Sequence, residues 1–142
     1  MTAPVFVDTN VLVYARDAAA GEKQEKAAAW MRHLWTTRAG RISVQVLQEF
    51  YVTVTRKLHH PVPSKVARED IRDLMAWHPV PMNGALLERA FPLEDRHRLS
   101  FWDSLVVAAA AAAGCSVLLS EDLQHGQDLD GVRVQNPFLL DP

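Results

Sequence analysis

Four carboxylates lie far apart in the chain, yet each adjoins an element that could carry it to a shared place: Asp8, Glu49, Asp103 and Asp122. Asp8 follows the short apolar run at 5–7, and Asp122 comes shortly after a second apolar run that ends at Leu119. Carboxylates gathered within a few ångströms repel one another, and a proton or a cation must relieve the strain. With no accompanying cluster of His or Cys, these hard oxygen donors select Mg²⁺ or Mn²⁺ over zinc. A cation held in this way binds a phosphate oxygen, lowers the pKa of an attacking water and stabilises the leaving oxygen. The chemistry suggested is phosphodiester hydrolysis.

The elements that must position these acids alternate between strands and helices. Residues 5–7 and 116–119 are short apolar runs of the kind that form buried strands, and 41–43 and 132–134 are weaker candidates. Helices are expected over about 11–18 and 22–35. Another starts from an N-cap at Ser43 and carries the stripe Val44, Leu47, Phe50, Tyr51, Val54 and Leu58. Ser64 can cap a further helix with Val66, Ile71, Leu74 and Met75 inward, and the prolines make 78–82 extended. A helical stretch from 85 to 91 leads on to Arg96, with Pro92 as a kink or break. Ser100 starts an alanine-rich helix that Gly114 ends.

Strands separated by helices imply parallel pairing. The expected fold class is therefore α/β, a three-layer sandwich with a short, mainly parallel central sheet flanked by helices. In such a sheet the carboxyl ends of the strands and the helix starts that follow them share one edge. That edge would collect Asp8 and Asp122 from strand ends, Asp103 from the first turn of the alanine-rich helix and Glu49 from the second turn of the helix begun at Ser43.

Each acid also has a plainer reading. Asp8-Thr9-Asn10 suits a turn and helix N-cap. Glu49 faces away from Leu47, Phe50, Tyr51 and Val54, as a solvated helix glutamate would. Ser100-Phe101-Trp102-Asp103 fits a capping-box-like start, and Ser120-Glu121-Asp122 suits a turn. Taken singly, none of these positions decides between structure and chemistry.

The blocks in order are more specific. A strand ending in Asp8-Thr9-Asn10, a mid-helix acid at Glu49, Phe101-Trp102-Asp103-Ser104-Leu105 and Leu118-Leu119-Ser120-Glu121-Asp122-Leu123-Gln124 together resemble the PIN-domain family. The resemblance covers nearly the whole chain and, within the family, is to VapC-type toxins of bacterial toxin–antitoxin pairs. It implies an endoribonuclease that uses Mg²⁺ or Mn²⁺ and acts on structured RNA. Asp8, Asp103 and Asp122 would hold the metal, with Glu49 a ligand or water-orienting base. Thr9, Asn10 and Ser120 would orient those ligands from behind. The resemblance further implies a homodimer and a cognate antitoxin that lays a helix in an apolar groove, which the helix around Trp30 and Trp35 could line. The antitoxin tail is expected to place a basic side chain near Asp8 and Asp103. A PIN nuclease of RNA maturation and a non-catalytic PIN scaffold that binds RNA or protein are the alternatives. One position departs from the pattern: many relatives carry a further acid a few residues after the one matched by Asp122, and here His125 occupies that neighbourhood. One tightly held ion, with a second recruited by substrate, is the expectation.

Composition sets outer limits. The 142 residues suit a single domain spanning 1–142. With 15 Lys+Arg against 17 Asp+Glu and a net charge of −2, broad non-specific nucleic-acid binding through a basic surface is disfavoured. A local acid site ringed by basic residues is not. Arg16, Arg96 and Arg98, with Lys23, Lys26 and His97, are candidates for phosphate contacts by chain position, against a plainer reading as solvated helix faces. Trp30, Trp35, Trp77 and Trp102 read as core or interface residues. Cys115 is the only cysteine, so neither an intrachain disulfide nor a multi-cysteine zinc site can form, which suits a reducing cytoplasm. No export signal is visible, and the alanine-rich apolar run at 105–113 is about half the ~20 residues of a membrane span. A haloacid-type phosphatase would need a second Asp where Asn10 stands. A receiver domain would need a late lysine, and Lys23, Lys26, Lys57 and Lys65 all come early.

Overall fold

The two most apolar runs become neighbouring strands. In the computed structural model, which describes residues 2–142, β1 (Val5–Val7) and β3 (Val117–Leu119) pair in parallel, Val5 opposite Val117 and Val7 opposite Leu119. Phe6, Val7, Leu118 and Leu119 are fully buried. Strands covered on both faces carry unbroken apolar runs, which is why three residues suffice to mark each of them. The sheet is completed by β2 (Gly40–Arg41) beside β1, β5 (Val132–Gln135) beside β3, and β4 (Asp128–Leu129) at the outer edge. All pairings are parallel except β4 with β5.

Helices α1 (Thr9–Arg16), α2 (Glu22–Thr37), α3 (Val44–Arg56), α4 (Ser64–Leu74), α5 (Gly84–His97) and α6 (Phe101–Ala112) flank this sheet in the expected three-layer α/β arrangement. α1 packs on α2 and α3, α3 on α4, and α5 on α6. Residues 104–110 of α6 are buried without interruption, as an apolar all-round helix must be, and alanine at 108–110 lets its neighbours approach closely. Among the described residues no helix is long and apolar enough to cross a membrane.

Several local expectations are corrected. α1 ends at Arg16, because Asp17 is already extended. The second strand is 40–41, and Ser43 forms an isolated parallel bridge with Val80 while its side chain caps α3. α4 begins at Ser64 itself and has no side-chain cap. Pro92 does not interrupt α5. Pro92 and Glu88 are both exposed, so the Glu88 carbonyl that loses its partner can bond water. Met75 is not inward. It opens a 3₁₀ turn (Met75–Trp77) and is 52% exposed, while Trp77 takes the interior position at 2%.

The Trp77 ring lies flat against Gly40, where an added Cβ would come within 2.6 Å of three ring atoms. Gly40→Ala should therefore destabilise the protein by ~1–3 kcal/mol, the usual cost of overpacking a core. The loss would read as a lower urea midpoint at constant m-value. An unchanged midpoint would show that the indole moves aside freely.

Candidate active site

Parallel register delivers Asp8 and Ser120 to the same place. Val7 pairs with Leu119, so the residues that follow leave the sheet side by side, and the Asp8 N–H still donates to the Leu119 carbonyl at 3.0 Å. Asp8 is the N-cap of α1: its Oδ1 accepts the Thr9 N–H at 2.7 Å. Its Oδ2 accepts the Ser120 hydroxyl at 2.8 Å and the Asn10 amide at 3.4 Å. The cap reading and the convergence at the sheet edge thus hold together.

Asn10 ties the start of α1 to the turn after β3. Its Nδ2 lies 3.2 Å from Asp122 Oδ2 and 3.3 Å from Ser120 Oγ, and its Oδ1 accepts the Glu121 N–H at 3.2 Å. Ser120 Oγ also accepts the Asp122 N–H at 3.1 Å. Between them, Glu121 turns elsewhere: its carboxylate accepts the Tyr14 hydroxyl at 2.7 Å and pairs with Lys23. Lys23 Nζ lies 5.0 Å and 5.3 Å from the ring centroids of Tyr14 and Phe138. Burial alone would raise the Glu121 carboxyl, but the bonds from Lys23 and Tyr14 outweigh it and hold it below its ordinary value. The two acids of one turn therefore have different partners.

Glu49, on α3, accepts the Thr9 hydroxyl at 2.9 Å and the Gln45 amide at 3.1 Å. Gln45 is buried, and its Nε2 is also 3.3 Å from the Trp102 carbonyl, which joins α3 to the first turn of α6. Asp103 stands in that turn, where Ser100 caps the helix by accepting the Asp103 N–H at 3.0 Å.

The acids share one electrostatic neighbourhood. Burial pushes the Asp8 carboxyl up to about 7, against the Ser120 and Thr9 bonds that lower it, and the charges of Asp122 and Asp103 add to the rise. Asp103 is also raised, mainly by burial and further by Asp122 and Glu49, with Ser100 opposing. Among the described residues no Lys or Arg forms an ion pair with Asp8, Glu49, Asp103 or Asp122. The donor set is carboxylate oxygen throughout, which suits a hard divalent cation. Among the described residues no three or more of the Asp, Glu, His and Cys side chains stand close enough together, as they are, to hold a metal ion. The fit to such a cation is one of donor chemistry and charge, not of a preformed cage.

Residues 5–127 match the model of the PIN domain. The chain belongs to the PIN-domain family. Its fold is shared with the solved structure of VapC20 from Mycobacterium tuberculosis, described as a sarcin-ricin loop cleaving toxin. The TM-score is 0.61 at 23% identity, over 80% of this chain and 86% of that one. It is shared also with VapBC2 from Rickettsia felis, solved bound to a DNA fragment from its promoter, with TM-score 0.61 at 14% identity over 93% and 97% of the two chains. At these identities the likeness is one of fold. No curated protein matches the chain in sequence.

On this PIN fold, most of the basic candidates are engaged by partners outside the acid cluster. Arg16 makes two 2.6 Å bonds to Asp70 on α4, and Arg96 and His97 both hold Asp130 in the turn between β4 and β5. Lys26 donates to the Phe138 carbonyl at 3.2 Å. Arg98 ends α5 in the left-handed region at φ 54° and is exposed just ahead of α6. His125, at the departure from the family pattern, accepts the Asn136 N–H on Nδ1 at 3.0 Å; its remaining proton is therefore on Nε2. Trp30 donates to the Pro137 and Leu140 carbonyls at 2.9 and 3.1 Å, whereas Trp102, beside Asp103, is 61% exposed.

Two open grooves border α1, and only the second reaches the acid cluster. One of about 280 Å³ includes Leu12, Met31, Trp35 and Leu74 from α1, α2 and α4, with Arg16 and Asp70 among its lining. The other, about 690 Å³, is lined by Thr9, Asn10, Glu49 and Asp122 and extends along α3 to Lys57. Gln45, Tyr14 and Glu121 join this network without having been singled out by their sequence context. The i,i+4 spacing of Gln45 and Glu49 was the one local signal available.

Proposed function

We propose that this PIN-domain protein is a metal-dependent endoribonuclease that acts as the toxin of a toxin–antitoxin pair. The observation that carries this reading is a nearly buried acid, Asp8, whose carboxyl is pushed up to about 7 within a cluster of acids with which, among the described residues, no Lys or Arg pairs. Asp8, Asp103 and Asp122 would hold Mg²⁺ or Mn²⁺, with Glu49 as a further ligand or as the base that orients water. When bound, the ion supplies charge neutralisation at the phosphate and a more acidic water. The chain's own part is placement. Ser120, Asn10 and Thr9 fix Asp8, and Asn10 fixes Asp122. Thr9 and Gln45 hold Glu49 in one orientation, so that a proton leaving water meets a positioned carboxylate.

Two proteins of like fold support the biological reading: one is a sarcin-ricin loop cleaving toxin and the other is VapBC2. By the family resemblance the proposed substrate is structured RNA, and the groove beside Trp35 would receive a helix of a cognate antitoxin in a homodimeric assembly. A role in RNA maturation and a non-cleaving scaffold remain the alternatives. Incubation of total cellular RNA with the protein and Mg²⁺ or Mn²⁺ should yield discrete fragments, and excess EDTA should abolish them. Cleavage indifferent to EDTA would overturn the metal site, and intact RNA under every condition would favour the scaffold. Growth arrest on expression, relieved by a neighbouring gene's product, separates toxin from maturation enzyme.

A further inference from the structure

The groove that runs from the acids along α3 has unlike ends. At one end are Asn10, Glu49 and Asp122, and at the other is Lys57. Lys57 is exposed and, among the described residues, has no ion-pair partner. Its backbone N–H is bonded to the Thr53 carbonyl, which fixes it as the C-cap of α3. Glu49 and Lys57 are eight residues apart, about 12 Å along a helix axis at 1.5 Å per residue. Between them the walls offer Val13, Val52 and the Tyr14 ring as apolar surface and Thr53 as a hydroxyl. The carbonyl end of α3 would repel a phosphate, so an anionic strand leaving the acid cluster this way needs a cation at that end. Among the described residues Lys57 is the one positively charged residue that lines this groove.

We propose that a single strand of RNA lies along this groove, with the Lys57 ammonium gripping a phosphate a few nucleotides from the bond cut at the acids. Lys57 is thus a positioning residue that sets the register of cleavage. The inference rests on the nuclease reading and adds the path of the strand to it. A mixed apolar and hydroxyl wall continuous with the acids fits a strand with exposed bases better than it fits a protein helix.

The test compares wild type, Lys57→Met and Lys57→Arg on labelled oligoribonucleotides lengthened one nucleotide at a time on either side of the cleaved bond. Binding is followed by fluorescence anisotropy with Ca²⁺ in place of Mg²⁺, and cleavage with Mg²⁺. Wild type should gain affinity in a step at one particular length on one side. In Lys57→Met that step should vanish, KM should rise about fivefold, the scale of one exposed ion pair, and kcat should hold. The slope of log affinity against log salt should fall by about 0.7, one single-strand phosphate contact, and Lys57→Arg should restore it. A mere helix-capping role for Lys57 would leave the salt slope untouched. An unchanged slope, a uniform loss at every length, or a changed oligomeric state of Lys57→Met by light scattering would each overturn the proposal. Lys57-dependent binding without any wild-type cleavage would sink the nuclease reading and leave the strand path standing. Cleavage with Lys57-independent binding would do the reverse.

Discussion

Asp8→Asn should lower cleavage on the order of 10³-fold or more, since the proposed metal ligand, and with it several kcal/mol of transition-state stabilisation, is lost. The same substitution should make the metal-free protein comparatively more stable as pH rises. Asp8 is 5% exposed, and burial pushes its carboxyl from an ordinary 3.8 up to about 7. Between those values the folded chain keeps a proton that the unfolded chain has released. The folded state binds more protons, so stability falls as pH rises through that window, by at most ~1.4 kcal/mol per pH unit for one group. The asparagine does not titrate. The stability difference, variant minus wild type, should therefore move in favour of Asp8→Asn from pH 4 to about 7 and level off above it, as read from urea midpoints in EDTA. On the proposed reading, metal binding displaces that proton. Mg²⁺ should accordingly stabilise wild type more at pH 8 than at pH 6 and leave Asp8→Asn nearly unmoved. A flat difference across the window would mean that Asp8 ionises freely in the folded chain and that its burial stores no charge.

The parts of this site that were legible in the sequence are those set by local periodicity. Val5–Val7 and Val117–Leu119 announce themselves as strands because a parallel strand is covered on both faces, and Asp8 and Ser120 inherit their places from that register. Ser43 and Ser100 are readable as caps because an N-cap is a local event. Glu49 was ambiguous for a physical reason. Lying off the apolar stripe is equally true of a glutamate in bulk water and of one facing a polar site, and only the contacts from Thr9 and Gln45 distinguish them. The pairing of Glu121 with Tyr14 and Lys23 spans about a hundred residues of chain and leaves no local trace. Gly40 under Trp77 is equally non-local. Pro92 misled because helix propensity describes an interior turn, whereas this proline lies on a water-facing side.

Ser120→Ala should reduce metal affinity and cleavage some 10- to 100-fold, the usual range for a group that orients a ligand from behind, if Asp8 is the ligand proposed. The Ser120 hydroxyl is fully buried. It donates to Asp8 Oδ2 at 2.8 Å while accepting from Asn10 at 3.3 Å and from the Asp122 N–H at 3.1 Å. Donation to the charged carboxylate lowers the Asp8 carboxyl, so its removal must raise it further, and a cation then competes with a more tightly held proton. The pH of half-maximal metal binding should move upward in Ser120→Ala. Ser43→Ala supplies the contrast. That serine is just as buried, but its oxygen caps α3 by accepting the Val46 N–H at 3.2 Å. Its loss should cost ~1 kcal/mol of stability and leave the pH midpoint of metal binding where it was. Two equally hidden hydroxyls would then separate by what they hold, one a helix end and the other the charge state of Asp8. Equal behaviour of the two variants would show that Ser120 acts only through the fold.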